Sequence, residues 1–363
     1  MKNKHSPVIL TLLLAAFLLA GCGGEIYAST GWPGLTVQGN TAYLAYDTHV
    51  YAIDLNSNGT EKWRFPNESD ARITFFAPPT ITPDGQLIVG GYNHVLYSLD
   101  PETGQLNWEF TDARNRYIAS PLATQNGIFA PDADKNMYAL NLNGELMWTF
   151  STESPTWARP VTQEENGNIY LPSMDQRVYA LRSDLNVFEP VLLWQTEKLG
   201  GAIVGVPTLS ENGVLYVGTF GRSMYAIRAS DGIILWQFET DGWVWDGPAL
   251  AAGRLYFGDL DGNFYALNAG NGQLFWKLPS HNLDGPIVGT PLVSNSTIYV
   301  SSESGTLYAL TTDGSIRWTQ QINGRLHAPP QVANDILLVA PTRGDHLLVA
   351  LNKNGAILWS FNP

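Results

Sequence analysis

Three scarcities frame this 363-residue sequence. There is one cysteine, which excludes a disulfide framework, a cysteine-built zinc site and an intramolecular redox pair. Charged residues make up 15% of the chain, against roughly 25% in an ordinary soluble domain. The basic ones are scarcer still: 20 Lys and Arg against 33 Asp and Glu leave a formal net charge of −13. Nucleic acid is excluded as a partner, because its phosphates call for clustered Lys and Arg. Long apolar runs are missing after the first two dozen residues, and no 11-residue window beyond them carries a convincing helical period. What the chain does have is turn formers and rings: 35 glycines, 22 prolines and 12 tryptophans. With 44% hydrophobic residues, it can offset the entropy of ordering and is expected to fold.

Residues 1–21 have the form of a secretory leader. Lys2 and Lys4 precede a 12-residue apolar stretch from Val8 to Leu19, too short for a membrane span. The leader ends in Leu19-Ala20-Gly21-Cys22, which resembles the bacterial lipobox. That resemblance implies cleavage before Cys22 and lipidation of its thiol and new amino group. Acyl chains contribute about 0.8 kcal/mol per buried CH₂, so several of them make a stable membrane anchor. Gly23 follows the cysteine, and no aspartate there argues for inner-membrane retention. The expectation is a cell-envelope protein, lipid-anchored on the outer side of the cytoplasmic membrane or at the outer membrane. Residues 22–31 would be the lipidated tether. Cleavage removes Lys2 and Lys4 and leaves 18 basic and 33 acidic residues, a mature charge of −15.

The remainder, 32–363, is a repeat. Tyr51, Tyr97, Tyr138, Tyr179, Tyr225, Tyr265, Tyr308 and Val349 each open a short motif of the type Tyr-Ala-Leu, at spacings of 40–46. A polar turn follows, usually with glycine (Gly59, Gly104, Gly144, Gly232, Gly272, Gly314, Gly355). Then comes a tryptophan: Trp63, Trp108, Trp148, Trp194, Trp236, Trp276, Trp318 and Trp359. The fourth unit departs from the pattern, with a longer glycine-free loop from Ser183 to Leu192. Upstream, each unit starts at a proline (Pro33, Pro79, Pro121, Pro160, Pro207, Pro248, Pro291, Pro330). Short alternating β-branched and aromatic runs between Gly/Asn/Asp turns read as strands, four per unit, A to D. A four-stranded unit of 40–50 residues is a propeller blade. The expected fold is all-β, an eight-bladed β-propeller of four-stranded antiparallel blades. The eight recurrent tryptophans are expected to dock structurally between blades, burying a large ring and bonding through the indole N–H. Both terminal units look complete, and no edge strand is expected from Glu25 to Ser29.

The pattern Tyr-Ala-Leu-(Asn/Asp)-x-x-x-Gly-x-x-x-Trp resembles the tryptophan-docking repeat of the pyrroloquinoline-quinone-type propellers, across essentially residues 32–363. Together with the lipobox-like Cys22, the layout resembles the propeller lipoproteins of bacterial outer-membrane β-barrel assembly. The resemblance implies fold strongly and activity weakly, since the motif builds blades and touches no ligand.

In a propeller the D–A connections and B–C hairpins share one face, around the mouth of the channel that strand A lines. The residues before each strand-A proline are therefore candidates for a ligand or partner surface. They are Arg72, Phe76, Arg116, Tyr117, Trp157, Arg159, Trp243, Trp245, Asp246, Arg325 and His327, with Phe75, Arg114, Ile203 and Asp284 alongside. Arginine with aromatics is a common make-up for binding hot spots. The competing account is that these rings fill the channel and the arginines pair with neighbouring aspartates. Asp132-x-Asp134-x-Asn136 and Asp259-x-Asp261-Gly262-Asn263 look like the start of calcium loops, but lack the distal glutamate. Hairpin-turn chemistry explains them better, so no metal is expected.

Resemblance to quinoprotein dehydrogenases would imply a quinone over the channel, a calcium ion and an aspartate base. Those enzymes often carry an adjacent-cysteine disulfide, and this chain has one cysteine. Asp246 or Asp284 could be imagined as a base, without an assignable ligand set. There is no nucleophile elbow or phosphate-binding glycine loop, and the histidines are scattered. The chain is expected to be a non-catalytic, cofactor-free, monomeric platform for a protein or glycan partner, its alternatives being a carbohydrate or peptide binder and a quinone-dependent dehydrogenase.

Overall fold

The computed structural model describes residues 32–163 and 167–363; the leader, Cys22, the tether and the segment Glu25 to Ser29 lie outside them. Among the described residues thirty-two strands form eight sheets, each built from four consecutive strands in sequence order, all antiparallel. The blades span 34–65, 80–110, 122–151, 161–195, 208–239, 249–278, 292–321 and 331–361. Blade 5 is representative, with strands A to D at Thr208–Leu209, Val214–Thr219, Ser223–Arg228 and Ile234–Glu239.

Burial follows position in the blade. Strands B and C are buried on both faces, as in Leu87–Gly90 and Leu96–Leu99, so their sequences run continuously apolar rather than alternating. Strand D is outermost, and Ile234–Glu239 alternates between half-buried and exposed. Strand A is innermost and is stitched around the channel. Thr36 Oγ1 donates to the Pro79 carbonyl at 2.6 Å, Thr80 to that of Pro121 at 2.7 Å, and Thr208 to that of Pro248 at 2.5 Å.

Each of the eight core clusters draws its side chains from two adjacent blades. One of them joins the last blade to the first: Leu338, Ala340, Leu348, Ala350 and Phe361 pack on Leu35, Leu44, Tyr51 and Ile53. The ring therefore closes by packing, with every blade contributed by one continuous stretch of chain.

The recurrent tryptophans of strand D reach towards the neighbouring blade. Six indole N–H groups donate to a backbone carbonyl of the next blade, for example Trp63 to Pro101 at 2.9 Å and Trp236 to Ala269 at 3.1 Å. Trp108 uses a relay instead: it donates to Gln86 Oε1 at 2.9 Å, while Gln86 Nε2 donates to the Leu142 carbonyl of blade 3. Seven of the eight rings also lie against the next blade's turn glycine, and Trp359 closes the series on Gly59. At blade 4, which lacks that glycine, Trp148 still bonds the Asp184 carbonyl at 3.0 Å.

Candidate binding face

A repeated backbone bond gathers the D–A connections and B–C hairpins on one face. Tyr92 N donates to Thr74 O, Ala133 to Arg116, Met174 to Pro155, Phe220 to Ala202, Leu260 to Trp243, Glu303 to Pro286 and Thr342 to Arg325, at 2.8–3.2 Å. Each pairs the connection entering a blade with the B–C hairpin of that same blade.

The register relative to the strand-A proline decides which side chains reach this face. Four residues before it stand Phe75, Tyr117, Thr156, Ile203, Val244, Ile287 and Leu326, all essentially buried in the seams between blades. Several pack against a strand-B glycine: a Cβ on Gly90 would fall 2.3 Å from Tyr117 Cβ, and one on Gly258 2.2 Å from Ile287 Cβ. One residue later, Phe76, Trp157, Trp245 and His327 point the other way, because an extended chain alternates. Tyr117 is thus a core residue of the blade 2–3 seam and not part of a surface. Its hydroxyl is buried without a partner among the described residues, and burial pushes its pKa well up.

Asp246 is also structural. Its Oδ1 accepts the Val206 and Gly247 N–H groups, both at 2.9 Å, and its Oδ2 accepts the Thr290 N–H at 3.1 Å and hydroxyl at 2.7 Å. One carboxylate ties blades 5, 6 and 7 together. Asp284 likewise accepts the Thr306 hydroxyl at 2.5 Å and the Ser304 hydroxyl.

The remaining candidates fall into groups. Trp243, 47% exposed, stacks on Phe220 at 5.1 Å between ring centres and 18° between planes. Trp245 meets Phe220 at 5.3 Å and Trp32 at 4.6 Å, and Trp32 lies 5.5 Å from His327. A continuous aromatic path therefore runs Trp243–Phe220–Trp245–Trp32–His327, through blades 5 and 6 to the ends of the ring at blades 1 and 8. On another arc, Phe76 sits edge-on to Tyr92 at 4.6 Å, and the Arg116 guanidinium lies over the Tyr92 ring at 5.3 Å. Phe220, Tyr92 and Trp32 escaped the sequence reading. Trp32 had a signal, since it directly precedes Pro33; Phe220 and Tyr92 lie in B–C hairpins, where nothing in the repeat distinguishes them.

The other arginines differ in kind. Arg72 is exposed at the rim and chelates Asp70, whose carboxyl the guanidinium's hydrogen bonds pull down to about 2. Arg325 pairs with Glu303 at 2.8 Å, and Glu303 also lies 3.5 Å from His327 Nε2. Burial lowers the His327 pKa, with Glu303 opposing. Arg159 stands apart: it is half-buried, and its guanidinium has no hydrogen bond or ion pair among the described residues.

The two aspartate loops prove unalike. Asp259 is saturated by protein donors, including Gly242 N at 2.9 Å, Tyr265 hydroxyl at 2.8 Å and the Asn263 amide. That is turn chemistry. Asp132 accepts the Asp134 N–H at 2.8 Å, but its Oδ2 is buried and unpartnered among the described residues, and burial pushes its pKa up to about 8. Among the described residues no group of three His, Cys, Asp or Glu is placed to hold a metal. At the blade 3–4 seam, the irregular loop of blade 4 borders a cavity of about 590 Å³ lined in part by Asn126, Arg182, Asp184, Leu185 and Leu193.

These features define the class: an eight-bladed, tryptophan-docked propeller of the pyrroloquinoline-quinone-like type. The family model for the outer membrane protein assembly factor BamB matches residues 35–189, 191–290 and 271–362, and the chain belongs to that family. The BamB of Yersinia pestis is 28% identical over 196 residues, 51% of this chain and 48% of that protein. That of Legionella pneumophila (strain Paris) is 30% identical over 113 residues, 31% of this chain and 27% of that protein. The alignments thus span about half or less of these relatives. Among solved structures, BamB from Moraxella catarrhalis superposes with a TM-score of 0.74 at 18% identity, covering 87% of this chain and 94% of that one. A europium-containing methanol dehydrogenase superposes at 0.69 with 12% identity, covering 86% and 82%. At such identities both likenesses speak for the fold alone.

Proposed function

We propose that this protein is a non-catalytic envelope scaffold that binds a protein partner through its funnel face in outer-membrane protein assembly, held to the membrane by a lipid on Cys22. Family membership supports the setting. The observation that carries the binding role is the aromatic path from Trp243 to His327, with an indole left 47% exposed at one end. Exposed tryptophan flanked by half-buried rings is the make-up of an interaction anchor. Crosslinking in intact envelopes, followed by pull-down, tests it. Outer-membrane assembly proteins should be recovered with the native chain and lost with Trp243→Ala/Trp245→Ala. Recovery that is unaffected by that double variant overturns the funnel assignment.

The exposed, stacked face of Trp243 also suits a pyranose ring, and this favours a carbohydrate binder as the second reading. Enrichment of glycans without barrel-assembly proteins would select it. Dye reduction driven by an alcohol or sugar on adding quinone and calcium would overturn the non-catalytic reading.

A further inference from the structure

Eight Asn-Gly pairs occur in the chain, at 58–59, 126–127, 143–144, 166–167, 212–213, 271–272, 323–324 and 354–355. In such a pair the asparagine side chain is open to attack by its own backbone, because glycine brings no Cβ to shield the following nitrogen. The attack also needs that nitrogen free to shed its proton and to turn towards the side chain. Seven of the eight glycines hold theirs in a turn. Gly59 N donates to the Asp54 carbonyl, Gly127 to Thr124, Gly144 to Asn141, Gly167 to Gln163, Gly213 to Ser210, Gly272 to Asn268 and Gly355 to Asn352, at 2.8–3.3 Å. Gly59, Gly144, Gly272 and Gly355 also lie under a tryptophan ring, so opening those turns would unseat an indole. Asn166 itself is outside the described residues. The pair Asn323-Gly324 is the exception. It lies in the connection entering blade 8, on the candidate binding face, just before Arg325. Asn323 is exposed, and Gly324 N has no acceptor among the described residues. The Asn323 amide is held through its nitrogen alone, which donates to the Asp345 carboxylate in the B–C hairpin of blade 8.

We propose that Asn323 is the residue at which the folded chain deamidates, and that the conversion unties the connection entering blade 8 from the hairpin of that blade. Gly324 N gives up its proton and bonds to Asn323 Cγ. The Cγ–Nδ2 bond breaks, and the nitrogen leaves as ammonia, which closes a succinimide. Water then opens the ring at either carbonyl. Opening at Cγ leaves an aspartate, and opening at the backbone carbonyl leaves an isoaspartate whose chain runs through the side-chain carbon. The net exchange is an amide and a water for a carboxylate and an ammonium ion, with no oxidant or cofactor. Where an amide donated to Asp345, a carboxylate now faces a carboxylate, and like charges repel. No partner takes part, so the reaction is independent of what docks on this face.

Incubation of the full chain in mildly alkaline buffer, followed by peptide mapping in a mass spectrometer, tests the site, with the urea-unfolded chain as the clock. Unfolded, the eight pairs should convert at comparable rates. Folded, Asn323 should convert at least about fivefold faster than any other pair, the factor that corresponds to the one net hydrogen bond each of the others must break. The site is overturned if Asn126 or Asn212 keeps pace with Asn323 in the folded chain. It is equally overturned if Asn323 stays intact over a time in which the unfolded chain converts. Asn323→Asp, the linear product, should speed amide hydrogen exchange across 343–346, because a hairpin that loses its tie opens more often. Asp345→Asn in that background, which returns a donor to the pair, should slow it again. Exchange left unchanged by Asn323→Asp, or not restored by Asp345→Asn, overturns the untying.

Discussion

Gly104 and its counterparts meet two demands at once. Its φ is +71°, and a Cβ there would fall 2.6 Å from the Trp63 ring. Alanine would therefore strain the turn and lift the indole from its seat. Gly104→Ala is expected to cost about 1–3 kcal/mol, as for small-to-large changes in packed sites, measured by denaturant unfolding. Gly253→Ala is the control: its φ is similar, +73°, but a Cβ there meets nothing within 4 Å, so it should cost less. Asp132 makes a different point. Its folded pKa is raised to about 8 by burial, while an unfolded aspartate titrates near 3.9. A raised carboxyl pKa means the native state holds the proton more tightly than the unfolded state. The contribution of Asp132 to stability is therefore full below about pH 4 and is lost as pH climbs towards 8, by up to about 5 kcal/mol. Asp132→Asn should flatten that decline, raising the unfolding midpoint at pH 8 and barely changing it at pH 4. A variant whose pH profile parallels the native one would show that Asp132 is not the group responsible.

The strands themselves were plain from the residues, because turn formers punctuate them at a regular spacing. Short β-branched and aromatic runs between Gly/Asn/Asp turns read as strands, and the structure adds their burial: Leu87–Gly90 lies between sheets, while Ile234–Glu239 alternates between half-buried and exposed. Facing in the D–A connections was harder. Tyr117 and Trp157 both precede a strand-A proline, yet one offset of four and one of three send them to opposite sides. That register is visible only once seven connections are superposed. Hairpin contributions such as Phe220 were hidden because their partners, Trp243 and Trp245, lie some 20 residues away in the next connection. The docking strand also contains a local variation with a measurable consequence. Gln86 accepts from Trp108 at 2.9 Å and from the Ser98 hydroxyl at 2.6 Å, and donates to the Leu142 carbonyl at 2.9 Å. Gln86→Leu keeps the volume but leaves the Trp108 indole N–H and the Leu142 carbonyl without this partner, so a loss of about 1–3 kcal/mol is expected in thermal or urea unfolding. The equivalent change at exposed Gln105, which has no relay role, should be close to neutral.

The seam between the last and first blades shares two devices with six of the other seven, an apolar cluster and a tryptophan seated on a turn glycine, here Trp359 on Gly59, while the indole N–H of Trp359 has no hydrogen bond among the described residues. Among the described residues no strand crosses it, since each sheet is drawn from four consecutive strands. The chain ends therefore sit at one of eight comparable seams, not at a specially fastened one. If so, the position of the ends should be exchangeable. A circular permutant that joins Pro363 to Trp32 through about six Gly/Ser residues and opens between Gly200 and Gly201 should fold to the same ring. It should show a single unfolding transition with a midpoint within a few degrees of the native chain. Deletion of 329–363 should behave oppositely, since it strips the cover from Leu35, Leu44 and Ile53 and leaves two open blade faces. Exposed apolar faces of that kind drive association, so the truncated chain should be recovered as aggregate. A permutant that unfolds in two steps, or a truncated chain that stays monomeric and cooperative, would mean that the blade 8–1 seam is not equivalent to the rest.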